Sequence, residues 1–205
     1  MNANSAEQID FAKGGGLVPA IVQDADTLQV LMLGYMNEEA LAATRASGKV
    51  TFFSRSKGRL WVKGETSGNE FAFVDATADC DGDALLVRAR PSGPACHRGT
   101  TSCFGDAGAT GAGFLAHLDN VVAARLADPD TESSYTARLA AKGRQRVAQK
   151  VGEEGVETAL AGAGGTDTEF AGEAADLIYH LIVLLRVRGL KLTDAIEVLE
   201  KRHRK

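Results

Sequence analysis

Cysteine is scarce in this sequence, and the scarcity limits the classes of protein that it can encode. Only three cysteines occur among 205 residues, at Cys80, Cys96 and Cys103. A small and odd number argues against a framework of disulfides and leaves metal binding or simple burial as the alternatives. The spacing contains no C-x-x-C pair, so it does not match a standard zinc-finger pattern.

Long apolar runs and an excess of positive charge are also missing. The longest apolar run, residues 177–185, is too short to cross a bilayer and contains a histidine, which indicates a buried helix. Residues 1–16 show no basic start followed by an apolar stretch, so we predict no secretory signal and a cytoplasmic protein. The formal net charge of −4 gives no general attraction to nucleic acid or to a membrane surface.

The hydrophobic pattern changes near residue 105, and this change predicts two domains. Residues 1–105 contain short alternating or β-branched runs separated by turn signals. We therefore predict an α+β domain there, mostly β with one helix. That helix is expected to begin after Asn37, which can cap it, and to end at Gly48.

The second half of the chain has the hydrophobic period of helices. Residues 106–113 consist mainly of glycine, alanine and small polar residues, and are predicted to form a linker. Residues 114–205 are predicted to form an all-α domain. Its helical pattern is interrupted near Gly143, and Thr193 is expected to cap the last helix.

Three aspartates in the stretch "DATADCDGDALLV" occupy alternate positions and enclose a cysteine. If the segment is extended, Asp79, Asp81 and Asp83 share one face and Cys80 points to the other. Three like charges on one face repel one another unless a cation or basic groups neutralise them. Carboxylate oxygens suit Mg²⁺, whereas a thiol suits Zn²⁺. The segment is therefore predicted to serve two metal sites. The alternative is a solvated acidic turn with Gly82 as its turn residue.

Cys96 and Cys103 lie in the turn-rich segment "GPACHRGTTSCF", residues 93–104, which we call the cysteine loop. Together with Cys80, they offer three thiolates for zinc and leave a fourth position for water. Catalytic zinc sites have this open arrangement, which lets the metal lower the pKa of the water. His97 is then a candidate for proton transfer or for a fourth ligand. The alternative is that the cysteines are small buried hydrophobic residues.

The segment "SRSKGRLWVKGETSGN" concentrates cationic and hydroxyl side chains around one tryptophan. Such donors suit the phosphates of a ribose phosphate, and the indole can pack against a base. The predicted substrate-binding residues here are Ser54, Arg55, Ser56, Trp61 and Lys63. The alternative is a basic surface hairpin with one buried tryptophan.

Four segments in order, "GYMNEEAL", "FFSRSKGRLWVKGETSGN", "DCDGDALLV" and "GPACHRGTTSCF", resemble phosphoribosyl-AMP cyclohydrolase of histidine biosynthesis. The resemblance covers nearly all of residues 17–104. It implies a homodimer in which Cys80, Cys96 and Cys103 from both subunits hold zinc. It also implies Mg²⁺ at the three aspartates, a catalytic role for His97, and hydrolytic opening of the adenine ring between N1 and C6.

Carboxylates also gather on two predicted helices of the second half. In "KVGEEGVE" the helical period places Glu153, Glu154 and Glu157 on one face, and "GEAADLIYH" places Glu173 and Asp176 one turn apart. Their mutual repulsion predicts a bound Mg²⁺, which commonly bridges substrate phosphates. Upstream basic residues, including Lys142 and Lys150, are available for those phosphates. The alternative is that the acidic faces simply meet solvent.

The apolar neighbours of these carboxylates are expected to pack the two helices together. They are Val151, Val156, Leu160, Leu177 and Ile178.

Two segments of the second half, "KGRQRVAQKVGEEGVETALA" and "EAADLIYHLIVLL", resemble phosphoribosyl-ATP pyrophosphohydrolase, an all-α enzyme. The resemblance covers residues 114–203. It implies Mg²⁺ at Glu153, Glu154, Glu157 and Asp176, with Glu173 as a further member. It also implies hydrolysis between the α- and β-phosphates with release of pyrophosphate.

Both resemblances together predict a bifunctional hydrolase. The second half would remove pyrophosphate from 1-(5-phosphoribosyl)-ATP, and the first half would open the adenine ring of the product. One alternative is a general nucleoside triphosphate pyrophosphatase with an inactive zinc domain. Another is a zinc-stabilised binding module with an acidic helical tail. The expected partners are phosphoribosyl nucleotides and a second copy of the chain, without nucleic acid or membrane.

Overall fold

The computed structural model describes residues 8–105, 109–128 and 133–203. Its internal contacts divide the chain into two units, Met1–Phe114 and Leu115–Lys205. The first unit contains strands and one helix and the second is helical, so the predicted fold class is confirmed. Of the predicted linker, residues 106–108 lie outside the described residues.

The first unit is built on a four-stranded sheet and a separate two-stranded hairpin. Its elements are β1 (Val18–Asp24), β2 (Val30–Met36), α1 (Glu38–Ser47), β3 (Thr51–Ser54), β4 (Arg59–Val62), β5 (Phe71–Ala78) and β6 (Leu85–Pro91). The strand order of the sheet is β2-β1-β6-β5, and β3 pairs with β4. The β1–β6 pair is parallel, whereas the β1–β2 and β5–β6 pairs are antiparallel.

The inner face of this sheet forms the core of the first unit. Side chains along β1 alternate between buried and exposed, as a strand with one solvent face requires. The inner row of β1 consists of Val18, Ala20 and Val22, all fully buried. Gly34 on β2 leaves room for Phe52, because a Cβ at this glycine would lie 2.4 Å from the phenyl ring.

The outer face of the sheet carries an apolar strip that no other described part of the chain covers. It consists of Ile21, Leu33 and Leu86, whose exposed fractions are 37%, 45% and 38%. The register places Ile21 opposite Leu33 on one side and opposite Leu86 on the other, so the three side chains are adjacent. We refer to them as the outer strip.

Local signals at α1 act as predicted. The Asn37 side chain accepts a hydrogen bond from the Ala40 amide at 2.8 Å, which satisfies one of the free N–H groups at the helix start. Glu38 and Glu39 occupy the first turn, where they face the positive end of the helix dipole. Gly48 ends the helix with φ of 69°, a conformation that glycine adopts without strain.

The acidic segment is not extended, so that prediction is wrong. Strand β5 ends at Ala78, and residues 79–84 form the turn to β6. The Asp79 side chain accepts hydrogen bonds from the amides of Asp83 at 3.0 Å and Ala84 at 3.1 Å, and Gly82 has φ of 73°. Asp79 accepts from the backbone amides of the turn, and Gly82 adopts the conformation that reverses the chain direction. The alternative prediction, an acidic turn, is therefore confirmed for the backbone. We call residues 79–84 the acidic turn.

The second unit contains five helices among its described residues, the first beginning just before the unit's boundary. They are α2 (Gly113–Ala127), α3 (Tyr135–Ala141), α4 (Arg144–Gly164), α5 (Asp167–Val187) and α6 (Leu192–His203). The predicted break at Gly143 is confirmed, and this residue has φ of 92°. Thr193 does not cap α6, because the helix already begins at Leu192 and the Asp194 carboxylate accepts from the Lys191 amide at 2.7 Å.

The predicted packing between the two long helices is wrong for three of its five residues, because Val151 and Leu177 are half-buried but the other three are exposed. Val156, Leu160 and Ile178 are 61%, 67% and 39% exposed. The buried core of the second unit instead consists of Val122, Leu139, Val147, Ile182 and Val183. The face of α4 that meets α5 therefore runs through Val147 and Glu154, and the apolar residues beyond it remain uncovered within the described chain.

A buried ion pair joins three helices of the second unit. The Asp119 carboxylate on α2 accepts two hydrogen bonds from the Arg186 guanidinium on α5, at 2.6 and 2.7 Å. It also accepts from the Leu192 amide at the start of α6, at 3.3 Å.

Among the described residues, no helix combines the length and hydrophobicity that a membrane crossing requires.

Candidate active sites

One cleft of the first unit brings together two of the predicted zinc ligands and two of the predicted substrate residues. Its volume is about 580 Å³. The lining includes Trp61, Lys63, Thr66, Ser67, Cys96, His97 and Cys103. Residues as distant in sequence as Trp61 and Cys103 therefore line one cleft, as a shared site would require.

The cysteine loop is fixed to the sheet by backbone and side-chain hydrogen bonds. The Cys103 amide donates to the Leu31 carbonyl at 2.8 Å, and the Ser102 hydroxyl donates to the Val30 carbonyl at 2.8 Å. Within the loop, the Cys96 amide donates to the Thr100 carbonyl at 3.1 Å. These contacts anchor the two thiols beside β2.

The two thiols in this cleft differ in acidity. Donation from the Arg98 amide, and then from the Thr100 side chain, lowers the pKa of Cys96. Burial raises the pKa of Cys103, and the neighbouring Cys96 raises it further. Cys96 is therefore the more readily ionised of the two, and thiolate is the form that binds metals. The exposed His97 places its Nδ1 3.9 Å from the Cys96 sulfur.

Cys80 lies apart from this pair within one chain. It is exposed on the acidic turn, and its sulfur is 4.0 Å from Asp81 Oδ1. Across residues 8–105, 109–128 and 133–203, Cys80, Cys96 and Cys103 do not form a cluster of three mutually close ligand atoms. A single chain therefore brings two of the three cysteines together.

The predicted substrate residues are divided between two neighbouring clefts. Lys63 is 6% exposed and belongs to the cysteine cleft, and burial lowers the pKa of its ammonium. Ser54, Arg55 and Ser56 line a second cleft of about 310 Å³. Trp61 borders both clefts, and its ring stacks on Phe52 at a centroid distance of 5.5 Å.

Arg55 is held in place by an aromatic ring. Its guanidinium carbon lies 3.8 Å from the centroid of Tyr35 on β2, within the range of a cation–π contact. The sequence did not assign a role to Tyr35, although an aromatic residue outside the core pattern is a signal for such a contact.

The three aspartates of the acidic turn are close to one another. Asp79, Asp81 and Asp83 each offer an oxygen, and these oxygens lie within 4.8 Å of one another. The charge of Asp81 raises the pKa of Asp83, whereas the Ala84 amide lowers that of Asp79. Lys13 reaches the turn from the N-terminal segment and donates to the Asp81 carbonyl. Sequence reasoning missed Lys13, since nothing local connects it to this turn.

In the second unit, three of the five predicted carboxylates form a cluster. Oxygens of Glu154 on α4, Glu157 on α4 and Glu173 on α5 lie within 4.8 Å of one another, and we call these residues the glutamate cluster. Burial raises the pKa of Glu173, and the charges of Glu157 and Glu154 add to this effect. The three carboxylates thus hold one another in a cluster where the protonated form of Glu173 is favoured.

The other two predicted carboxylates lie outside that cluster. Glu153 binds Arg146 at 3.0 Å and Lys150 at 3.1 Å. Asp176 is exposed, although its charge still raises the pKa of Glu173.

Of the two basic residues predicted for the second unit, Lys150 lies against the carboxylates and Lys142 is exposed to solvent. Lys150 also contacts Glu154 Oε1 at 2.5 Å, and both glutamates raise the pKa of its ammonium. Lys142 is exposed at the end of α3.

Sequence reasoning gave no role to a buried polar group beside the glutamate cluster. His180 is 5% exposed, its Nε2 is 3.1 Å from the Tyr135 hydroxyl, and its Nδ1 is 3.6 Å from Glu154 Oε1. The available signal was a histidine inside an otherwise apolar helical run.

Two family models match the two halves of the chain. The model of phosphoribosyl-AMP cyclohydrolase matches residues 32–105. The model of phosphoribosyl-ATP pyrophosphohydrolase matches residues 115–203.

Similar proteins match the chain across both halves. Each of the following is called histidine biosynthesis bifunctional protein HisIE. The Xanthomonas campestris protein is 59% identical over 201 residues, covering 98% of this chain and 96% of the relative. The Xylella fastidiosa protein (strain Temecula1) is 60% identical over 196 residues, covering 96% and 93%. The Escherichia coli protein is 58% identical over 197 residues, covering 96% of each.

This chain belongs to the HisIE family. The predicted bifunctional hydrolase of histidine biosynthesis is thereby confirmed. In this chain, the match to phosphoribosyl-AMP cyclohydrolase precedes the match to phosphoribosyl-ATP pyrophosphohydrolase. The alternative of a general pyrophosphatase with an inactive zinc domain is not favoured by the match of the first half.

Proposed function

We propose that the cleft containing Cys96, His97 and Cys103 is the site of ring opening, and that the glutamate cluster is the site of pyrophosphate release. The observation that carries the first assignment is that two thiols, a histidine and a buried lysine line one cleft. The observation that carries the second is the convergence of three carboxylates from α4 and α5.

The donor atoms of the cysteine cleft fit zinc. Cys96 and Cys103 are in side-chain contact, and their sulfurs are soft ligands of the kind that zinc prefers. A zinc ion held by Cys80, Cys96 and Cys103 would supply a Lewis acid that makes bound water more acidic.

Residues of this chain would bind and orient the nucleotide around that ion. His97 lines the cleft and is exposed, so it can take a proton from water or give one to the purine ring. Lys63 is positioned for an anionic group, and Trp61 offers a ring face between the two clefts. Ser54, Arg55 and Ser56 would hold a phosphate in the second cleft, where the two hydroxyls lie 3.4 Å apart.

The acidic turn and the glutamate cluster each offer three carboxylates that fit magnesium. Their oxygens are hard donors, and the close spacing of like charges within each cluster is relieved by a divalent cation. We propose Mg²⁺ at Asp79, Asp81 and Asp83 of the acidic turn. We propose a second Mg²⁺ at Glu154, Glu157 and Glu173, with Glu153 and Asp176 as neighbouring acids, where the ion would neutralise charge on the phosphates.

The cations of α4 complete the second site. Lys150 is bound to Glu153 and Glu154 at 3.1 and 2.5 Å, so it stands next to the carboxylates that would hold the metal. From this position it can contact a phosphate oxygen of the substrate. Lys142 is exposed at the preceding helix end and would contact the outer phosphates.

A homodimer would complete the zinc site. Cys80 does not join Cys96 and Cys103 within one chain, so the third thiol would come from a second copy. The outer strip offers that copy an apolar surface on the same sheet. The exposed Val156 and Leu160 on α4 offer another. Larger apolar patches of this kind mark interaction sites.

A cytoplasmic location stays a prediction.

A substrate panel with the whole protein tests the proposed function. We expect phosphoribosyl-ATP to yield pyrophosphate and then a ring-opened product, which absorbance follows directly. Ordinary nucleoside triphosphates should be poor substrates. Cleavage of those triphosphates with a closed adenine ring would support the general pyrophosphatase. Metal uptake without any turnover would support the binding module.

His97→Ala tests the role of this histidine in ring opening. Removal of a general acid–base typically costs about 10²–10⁴-fold in rate. We expect a loss of this size in ring opening of supplied phosphoribosyl-AMP, with zinc content unchanged by elemental analysis. His203→Ala, at the exposed end of α6, is the matched control and should behave as wild type. Loss of zinc from the His97 variant would instead make it a ligand.

A further inference from the structure

His180 is a buried titratable residue that has no assigned role in either proposed site. Its Nδ1 lies 2.9 Å from the Asp176 carbonyl oxygen and 3.6 Å from Glu154 Oε1. Its Nε2 lies 3.1 Å from the Tyr135 hydroxyl. The ring therefore contacts α3 and α4 from its place on α5, directly behind the glutamate cluster.

The partners of His180 determine where its proton lies. A backbone carbonyl only accepts hydrogen bonds, so the contact with Asp176 places the hydrogen on Nδ1. In the neutral ring, Nε2 is then an acceptor, and the Tyr135 hydroxyl donates to it. The same Nδ1–H faces Glu154 Oε1, which is too distant for a good hydrogen bond but close enough for electrostatic attraction.

Glu154 needs such support because it is 5% exposed and carries three rotatable side-chain bonds. Lys150 contacts the same Glu154 oxygen, but its ammonium also binds Glu153. A flexible lysine shared between two carboxylates fixes neither of them well. The imidazole is rigid, and Tyr135 fixes its orientation from the opposite side.

We propose that His180, oriented by Tyr135, is a positioning residue that holds the Glu154 carboxylate for a divalent cation. This inference rests on the Mg²⁺ site proposed above. Outer partners of ligating groups commonly account for about 10–100-fold in metal affinity when they are removed. His180 would therefore set the metal affinity of the second site without touching the substrate.

Mn²⁺ is a suitable probe because its binding is read by electron paramagnetic resonance, independently of turnover. The whole zinc-loaded protein is titrated with Mn²⁺, and the bound fraction that Glu154→Gln abolishes is assigned to the glutamate cluster. We expect His180→Leu to weaken this fraction about 10–100-fold. We expect His180→Asn, which keeps an N–H donor near the Nδ1 position, to restore most of the affinity.

Two tyrosines give a matched pair of controls. Tyr135→Phe removes the hydroxyl that orients His180, and we expect it to weaken Mn²⁺ binding at the cluster. Tyr179→Phe removes a neighbouring hydroxyl whose partner is Thr136, at 2.7 Å, whereas the hydroxyl that contacts His180 belongs to Tyr135. It should leave Mn²⁺ binding unchanged, whatever its effect on thermal stability.

The outcomes separate this inference from the proposed function. If Glu154→Gln removes no bound Mn²⁺, the metal site itself is wrong and the inference falls with it. If Glu154→Gln removes a bound ion but His180→Leu and Tyr135→Phe bind Mn²⁺ as wild type does, the positioning role alone is overturned. Equal weakening by His180→Asn and His180→Leu, or by Tyr135→Phe and Tyr179→Phe, would indicate packing and also overturn it.

Discussion

Replacing Cys96 by serine is expected to abolish ring opening and to leave pyrophosphate release intact. Cys96 is the more acidic of the two thiols in the cysteine cleft, so it contributes most readily as a thiolate. Serine has nearly the same shape but offers a hard, protonated oxygen in place of the sulfur. We expect ring opening of phosphoribosyl-AMP to fall at least about 100-fold, together with loss of zinc.

The measurement combines zinc content with both activities in one preparation. Pyrophosphate release from phosphoribosyl-ATP serves as the internal control, because the second unit carries that site. Full ring opening with normal zinc content would remove Cys96 from the site.

Mixing two inactive variants tests whether the zinc ligands come from both subunits. Cys80→Ser and Cys96→Ser chains are combined, allowed to exchange subunits, and assayed for ring opening. In a mixed dimer, one of the two sites has Cys80 from one chain and Cys96 with Cys103 from the other. Random exchange should therefore restore about a quarter of the wild-type activity. No recovery, with exchange verified, would contradict a shared site.

Glu154→Gln is expected to produce the reciprocal phenotype. The substitution keeps the shape of the side chain and removes one anionic ligand from the glutamate cluster. Magnesium depends on charged oxygen ligands, so we expect pyrophosphate release to fall at least about 100-fold. Ring opening of supplied phosphoribosyl-AMP should remain near the wild-type rate.

The fold should survive this change. Lys150 loses its contact with Glu154 but keeps Glu153 at 3.1 Å, so its charge retains a partner. Glu197→Gln is the matched control, because it removes an exposed carboxylate on α6 that pairs with Lys201 at 3.4 Å. Circular dichroism checks the fold of both variants. Loss of both activities in a folded Glu154 variant would show that the two sites are coupled, and full pyrophosphate release would exclude Glu154 from the metal site.

Local signals in the sequence predicted the boundaries of α1 and the break between α3 and α4, but not the start of α6. Asn37 and Gly48 bound α1, and Gly143 separates α3 from α4. Thr166 and Glu169 form a capping box at the start of α5, a pattern visible in the sequence but not used. These boundaries depend only on residues a few positions apart, so periodicity and capping rules can predict them from the sequence.

The sequence failed where alternation continued past the end of a strand. The aspartates keep the period of β5, but Asp79 and Gly82 turn the chain instead. The face of α4 was also misjudged, because Val156 and Leu160 are as apolar as Val147 although only Val147 of the three is buried. Which apolar side of a helix meets a given neighbour depends on tertiary packing, and the period alone does not decide it.

Sequence patterns singled out candidate site residues, and the structure brings some of them together and separates others. The motifs singled out Cys96, His97 and Cys103, and one cleft contains all three. They also grouped Glu153 with Glu154, whereas Arg146 engages Glu153 outside the glutamate cluster and Lys150 bridges the two carboxylates. The partner that distinguishes Glu153 is Arg146, two turns away, whose side-chain direction the sequence does not determine.

The parallel pairing of β1 with β6 has a consequence for the order in which the first unit folds. Ala20 pairs with Leu85, so the centre of the sheet closes only after most of the unit has been synthesised. Pairings between distant parts of a chain close large loops and slow the search for the native state. The cysteine loop follows β6 and docks on Leu31 of β2. The thiols therefore reach their final positions among the last contacts to form, and we expect metal capture to complete folding of this unit rather than to initiate it.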